Sequence, residues 1–571
     1  MKAIFTFKAN DALRFLIIVL LILPFMNCKN DLIMDDPIPD KGDTTAIDTI
    51  GTDTTATDTT NIDSVDLGPP PVFASLGQPT LNVVYFIPND VHSWPRYRER
   101  LTWMLQHAQT YFSREIAERG FGNKTLGLEE DSENPGMVKI QVIHGLEGKE
   151  TYRYSSKAVE MRNEINRYYD NNNIPRTSNH FMVFQPAGFG VGVPFYGSFA
   201  HKMGWAYAKD WSNGFAPETW VPGVGYTDIE QEQDFLGGTI HELGHGLALP
   251  HNQEKESDNF YALMGSGNSR YWNQPYEVKL TVGDALILSN CQVFNDNSSI
   301  QYYEVIPSMT FYHERIYSTE TDLYCSFEVA SNVPIKGAIV YQNPITMSDD
   351  QGHDAPSWTQ MVSPDADGTY EFNFKMPLSD IEKDKKSSPF ELTVRYVHEN
   401  GMHTVRAKTE YNFNYVDDKP DIDYEYTYIP NLDRTGWEII GFSSEHASGL
   451  FPASNLLDGS VQVESQWMSA LWEPFPQFVV VDMKRVNTLN GVALSQASDV
   501  DQPAGMVSVF EVYTSTDNVN FTSQGLFEAK LRSEGQQFAF SSPVDARYIK
   551  FEFKNAAWQT GLVRCAEIGA Y

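Results

Sequence analysis

Cysteine is scarce in this chain, with four among 571 residues. That excludes a small scaffold stapled by a disulfide framework. Basic residues are few as well, 42 against 75 acidic ones, a formal net charge of −33. A surface that acidic repels phosphate backbones, so nucleic acid is excluded as a partner. Long apolar runs are missing too. Phe15–Met26 spans twelve residues and contains Pro24, too short to cross a hydrocarbon core of about 30 Å as a helix. A mean hydropathy of −0.37 excludes a polytopic membrane protein. Hydrophobic side chains are plentiful, at 41% with 13% aromatic, which excludes a wholly disordered or collagen-like chain. At roughly 100–200 residues per domain, there is room for three or four packed units.

Lys2, Lys8 and Arg14 precede the apolar run, the order found in export signals. The run stops at Asn27-Cys28. A cysteine directly after such a run resembles a bacterial lipoprotein lipobox, with Asn27 where that family carries a small residue. The resemblance implies a lipoprotein signal over residues 1–28 and a lipid on Cys28. It also implies a membrane anchor in the bacterial cell envelope, expected at the outer membrane, with the cell-surface and periplasmic orientations left open. An ordinary secretory signal with Cys28 incidental is the alternative. Residues 29–75 are dominated by Asp and Thr with apolar side chains thinly scattered, and residues 29–68 carry two Lys and ten Asp. Such a segment cannot bury enough surface to offset its chain entropy, so a disordered Asp/Thr-rich linker is expected, closed by Pro69-Pro70-Pro71.

From residue 76 to about 298 strand-like and helix-like runs alternate. Leu81–Ile87, Val138–Ile143 and His180–Phe184 are apolar strand candidates. Arg96–Arg119 and Val159–Tyr169 repeat apolar residues at helical spacing. Ala187–Gly197 is a glycine-rich loop, and a helix is expected at about 230–247. This alternation predicts an α/β layer. After residue 299 the helical period fades. Asp322–Ala330, Gly337–Tyr341, Thr369–Phe374, Phe390–Val397 and Thr404–Tyr415 are short β-rich runs between turn residues. They predict an immunoglobulin-like β-sandwich over 299–418. The acidic, proline-punctuated stretch 419–433 is expected to be a linker, and 434–571 a second β-rich unit.

The chemistry concentrates in Gly237–His251, GGTIHELGHGLALPH. His241 and His245 lie four apart, so on a helix both imidazoles face one way and reach one metal ion. Glu242 sits beside them, placed to take a proton from a water polarised by that ion. This is the HExxH arrangement of zinc peptidases. His251, ten residues after the first histidine, completes a pattern that resembles the metzincin superfamily. The resemblance implies a zincin-like catalytic domain at 76–298, with Zn2+ on three histidines and one open position. Tyr261-Ala262-Leu263-Met264-Gly265 resembles the family's Met-turn, with Met264 in the structural role. Two departures stand out. The family carries glycine at the seventh position after the first histidine, where this chain has Ala248. Alanine there costs about 1 kcal/mol if the turn keeps its left-handed residue; the alternative is a helix that ends at Gly246 in a different geometry. Some relatives carry a tyrosine two residues after the methionine, where this chain has Ser266; nearby Tyr271 is expected to pack rather than to act.

Residues 434–571 resemble a factor V/VIII type C, or discoidin-like, domain. The resemblance runs through Pro452–Gly459, Ser465-Gln466-Trp467, Gln477–Met483, Tyr513–Ser515, Ala546–Phe551 and Cys565–Ile568. It implies a jelly-roll β-sandwich and a Ca2+ ion held by Asp458, Ser465 and Glu567. Trp472 and Trp558 are candidate sugar-stacking residues, with core packing the competing role. Cys291 and Cys325 are left open between a pair and single buried thiols. The expected whole is a multidomain chain: an α/β zincin-like catalytic domain, an immunoglobulin-like β-sandwich and a discoidin-like jelly roll. The expected function is a zinc-dependent endopeptidase tethered to the cell envelope. Its substrates would be extracellular proteins, glycoproteins among them, with the C-terminal module binding a carbohydrate or a surface. The alternative is a glycan-binding surface lipoprotein or adhesin whose zincin-like domain does no catalysis.

Overall fold

The computed structural model describes residues 72–75, 77–153, 158–187, 195–211, 220–221, 225–226, 235–271, 273–296, 299–345, 352–406, 411–497, 503–531, 535–559 and 561–571. The signal, Cys28, nearly all of the 29–75 linker and most of the glycine-rich loop lie outside the described residues. No helix among the described residues is long and apolar enough to cross a membrane.

The first layer is a five-stranded sheet. Its strands are β1 (Asn82–Ile87), β2 (Gln141–His144), β3 (His180–Ala187), β4 (Tyr196–Ala200) and β5 (Met203–Trp211), in the order β2-β1-β3-β5-β4. The pairs β1–β2, β1–β3 and β3–β5 are parallel, and β4 runs antiparallel along the edge of β5. β1 is buried along its whole length, as a strand covered on both faces must be. On one face lies helix α1 (Tyr97–Glu118), whose Leu101, Met104, Leu105, Ala108, Tyr111, Phe112 and Ile116 are all buried. On the other lies α2 (Val159–Asn171), whose Met161, Ile165 and Tyr169 pack against Val84, Phe86 and Ile143. Helix α3 (Phe235–Gly246) crosses β4 and β5 and carries the histidines. A further helix, α4 (Val282–Asn290), was not anticipated. Its start was legible, since Thr281 and Asp284 cap each other's backbone N–H in a capping box.

The middle module is built from two sheets. One orders β10 (Tyr370–Pro377), β7 (Asp322–Ser331), β6 (Met309–Ser318) and β13 (Asp423–Thr427); the other orders β9 (Ser357–Gln360), β8 (Ile335–Pro344), β11 (Phe390–His398) and β12 (His403–Arg406). The strand β13 corrects the expected 419–433 linker. Residues 423–427 pair antiparallel with His313–Tyr317. Tyr424 and Tyr426 alternate inward against the sandwich core, while Asp423 and Glu425 face outward. The acidity that suggested a linker belongs to the solvent face of an edge strand. The expected single run Thr404–Tyr415 is also broken, into β12 and short pairs at Asn412–Phe413 and Tyr415–Val416. The sandwich shares a core with the first layer: Ile339, Tyr341, Ala355 and Val397 pack in one cluster with Leu286 and Ile287 of α4.

The last module is all β. Its main sheet orders β14 (Glu438–Phe442), β15 (Gln477–Ser495), β18 (Gln536–Ala556), β16 (Val507–Ser515) and β17 (Thr522–Glu528), and β19 (Glu567–Ala570) pairs with β15. Trp467, Val479, Val481, Phe510, Ile549 and Phe551 fill its core. Cys291, Cys325 and Cys565 are free and buried. Cys291 follows α4 while Cys325 lies in β7, so these two thiols do not pair.

Candidate metal centre

Glycine lets helix α3 lie directly on the sheet edge. A methyl added at Gly197 would stand 2.0 Å from the Glu242 carbonyl oxygen, and one at Gly204 would stand 1.9 Å from that of Gly246. No side chain fits between strand and helix at those two points. From the opposite side comes the turn at residues 263–267. Met264 is fully buried, and its sulfur lies 2.9 Å from where a Cβ on Gly244 would stand. Met264 thus packs into the helix between the two histidines in sequence.

The helix ends in a Schellman motif. Ala248 N–H donates to His245 O at 3.0 Å and Leu249 N–H to Gly244 O at 3.0 Å. Ala248 takes φ +75°. The turn therefore keeps the left-handed residue that glycine usually supplies, and the alanine bears the strain. That reversal brings His251 back to the helix. The Nε2 atoms of His241 and His245 are 3.0 Å apart, and those of His245 and His251 are 2.9 Å apart. One ligand atom from each of the three residues falls within 4.8 Å of the others.

Backbone carbonyls orient two of the rings. His241 Nδ1 donates to Leu263 O and His245 Nδ1 to Leu249 O, each at 2.8 Å. A carbonyl only accepts, so the proton of each ring sits on Nδ1 and the Nε2 lone pair faces the centre. Burial holds His241 well below the usual imidazole range, helped by His245. Burial likewise pushes His245 down to about 4. Lone pairs facing one another at these distances repel unless a cation lies among them, and neutral imidazoles are good donors to transition metals. The three histidines could therefore hold a metal ion. Glu242 follows His241 on the same helix and is only 8% exposed.

Two parts of this site were not foreseen. Asn252, next to His251, is completely buried and donates to Asp284 Oδ1 of α4 at 2.7 Å. His353, from the sandwich, stacks on His251 with ring centroids 3.6 Å apart. Nothing local in the sequence marks His353, because the contact forms between modules. Tyr271 packs as expected. It is buried and hydrogen bonds with His107 Nε2 at 2.8 Å.

In the last module Trp472 is 80% exposed and Trp558 52%. Both adopt positive φ, 66° and 60°, uncommon for bulky residues. Trp472 N–H donates to Gly561 O at 2.9 Å, which joins the loops bearing the two rings. Core packing, the competing role, does not fit rings this exposed. Asp458, Ser465 and Glu567 do come together. Ser465 Oγ donates to Asp458, and Gly459 N–H and Ser460 N–H donate to Glu567 Oε1 at 2.7 and 3.1 Å. Arg434, however, pairs with Glu567 Oε2. Burial pushes Glu567 up to about 7 against the pull of Arg434. These N–H donors and the guanidinium already serve the carboxylate that calcium would need, so this donor set does not fit the expected Ca2+ as it stands.

Residues 440–568 match the family model of the F5/8 type C domain. The C-terminal module is an F5/8 type C domain. A search of curated protein sequences finds no match to the chain. Among solved structures, the chain is similar to wild-type OgpA from Akkermansia muciniphila, at 24% identity and a TM-score of 0.54, over 63% of this chain and 99% of that one. It is similar in the same way to catalytically inactive OgpA from that organism in complex with an O-glycopeptide (glycodrosocin) substrate. There the identity is 23% and the TM-score 0.54, over 64% of this chain and 100% of that one. At such identities the likeness is one of fold.

Proposed function

We propose that the chain is a zinc-dependent endopeptidase acting on O-glycosylated proteins, with residues 76–298 as its zincin-like catalytic unit. The observation that carries this reading is the convergence of three imidazole Nε2 atoms beside a buried glutamate on one helix. Zinc, when bound, would polarise the scissile carbonyl and lower the pKa of a water. His241, His245 and His251 would hold the ion through Nε2, with the Nδ1 protons already committed to carbonyls on the first two. Glu242 takes the proton from the attacking water and passes it to the leaving amine. The OgpA complex with an O-glycopeptide supports glycosylated substrates. The F5/8 type C domain with its exposed Trp472 and Trp558 supports a glycan-holding arm, which raises the local concentration of substrate at the centre. An anchor at Cys28 would place the enzyme on the cell envelope.

The test compares wild type and Glu242→Gln on an O-glycopeptide and its unglycosylated twin, with and without a chelator. The variant is expected to retain zinc and to lose hydrolysis by about 10²–10⁴-fold. Cleavage by Glu242→Gln at the wild-type rate would remove Glu242 from the mechanism. The exposed tryptophans favour one second reading, a glycan-binding surface protein. Glycan binding without chelator-sensitive hydrolysis would select it.

A further inference from the structure

The three histidines are not oriented by the same part of the chain. His241 and His245 are aligned by the carbonyls of Leu263 and Leu249, within the first layer. His251 lies face to face with His353, which precedes β9 of the sandwich, with centroids 3.6 Å apart and planes 29° apart. That placement is braced on several sides. Gln253 N–H donates to Ala355 O at 2.9 Å, and Gln253 bridges to Pro356. Gln253 Nε2 donates to Glu382 Oε1 at 2.6 Å, and Glu256 N–H to Asp380 O at 3.1 Å. Lys385 pairs with Asp354 at 2.5 Å, tying the same strap to the sandwich. Beneath it, Ala355, Ile339 and Tyr341 join the core of the first layer. A continuous apolar core with backbone hydrogen bonds across it leaves the two modules little freedom to move apart.

We infer that the sandwich module completes the metal centre, with His353 as a positioning residue whose ring holds His251 in its ligating plane. This rests on the reading of the three histidines as a metal site. A flat ring at stacking distance limits rotation of the imidazole about its Cβ–Cγ bond. A ligand that keeps its orientation without the ion loses less freedom on binding. Contacts of this outer kind typically govern metal affinity by 10–100-fold.

The experiment measures zinc affinity of the intact chain by competition with a chromogenic chelator, for wild type, His353→Ala, His353→Phe and His353→Gln. Stacking predicts about 10–100-fold weaker zinc for His353→Ala and His353→Gln. His353→Phe, which keeps a flat ring, is expected within about threefold of wild type. Equal melting temperatures in excess chelator would separate the effect from a loss of fold. If His353→Ala does not fold, Phe against Gln carries the comparison. Wild-type affinity in both His353→Ala and His353→Gln would overturn the inference. So would an equal loss in all three variants, since the role would then be polar. A wild-type chain that takes up no zinc would overturn the metal reading itself, and this inference with it.

Discussion

Gly197 is a position where one methyl group would disturb the centre directly. It lies on the edge strand β4, against the helix that carries Glu242 and His245. A Cβ there would stand 2.0 Å from the Glu242 carbonyl oxygen and 2.7 Å from His245 Cβ. Carbon does not approach such atoms within about 3.0 Å, and the nearer one is backbone, which cannot swing aside. Strand and helix must therefore part by about 1 Å in Gly197→Ala. Overpacking of this kind costs about 1–3 kcal/mol. At roughly 2–4 °C for each kcal/mol, the melting midpoint should fall by several degrees. The larger effect is on chemistry, because a misplacement of about 1 Å costs on the order of 10²-fold in rate. The assay pairs a thermal melt with zinc competition and hydrolysis of an O-glycopeptide, using Gly441→Ala as control. At Gly441 the nearest atom to a new Cβ would be 3.6 Å away, so that variant should match wild type. A Gly197→Ala protein with wild-type zinc affinity and turnover would refute the argument that this close approach positions the site.

Two other predictions concern stability. Ala248→Gly relieves a residue held at φ +75°, and should raise stability by about 1 kcal/mol, seen as a melt about 2–4 °C higher with hydrolysis unchanged; a lower melt would mean that the alanine methyl, packed on the core, contributes more than the strain costs. Burial pushes His107, His180 and His398 down to about 4. The unfolded chain takes up these protons near pH 6.5, so the stability is fully present above that pH and is lost as pH falls toward 4. Each group contributes a slope of about 1.4 kcal/mol per pH unit in that window. Urea midpoints between pH 7 and 5, taken in chelator, would be flat if these rings were solvated.

Much of the centre was readable from spacing. The interval of four between His241 and His245 is a property of any helix, so their common face needed no tertiary knowledge. The departure at Ala248 was equally local, but it left open a strained turn or a differently shaped helix end, and the observed positive φ selects the strained turn. Readable too were the strands at 82–87 and 180–187, whose apolar runs match buried sheet positions. Local pattern failed where a residue's neighbours come from far away. The acidity of 423–427 resembled a linker, because only pairing with 313–317 reveals which face of that segment is covered. For Trp472 and Trp558 the choice between sugar stacking and core packing stayed open, because side-chain size alone does not tell a packed ring from one displayed on a strained loop.

Order along the chain thus named the three residues that could hold a metal, through helical periodicity and the turn that returns His251. It also told the α/β first layer from the β-rich chain after it, through the change from helical to alternating pattern. The fold settled what stands around those histidines. His353 lies 102 residues beyond His251 in the chain and touches it because the sandwich and the first layer close over one apolar core. Arg434 meets Glu567 across a comparable distance in sequence and pairs with the carboxylate expected to serve calcium. Such contacts follow from the burial of whole faces against one another, and no short stretch of residues encodes them.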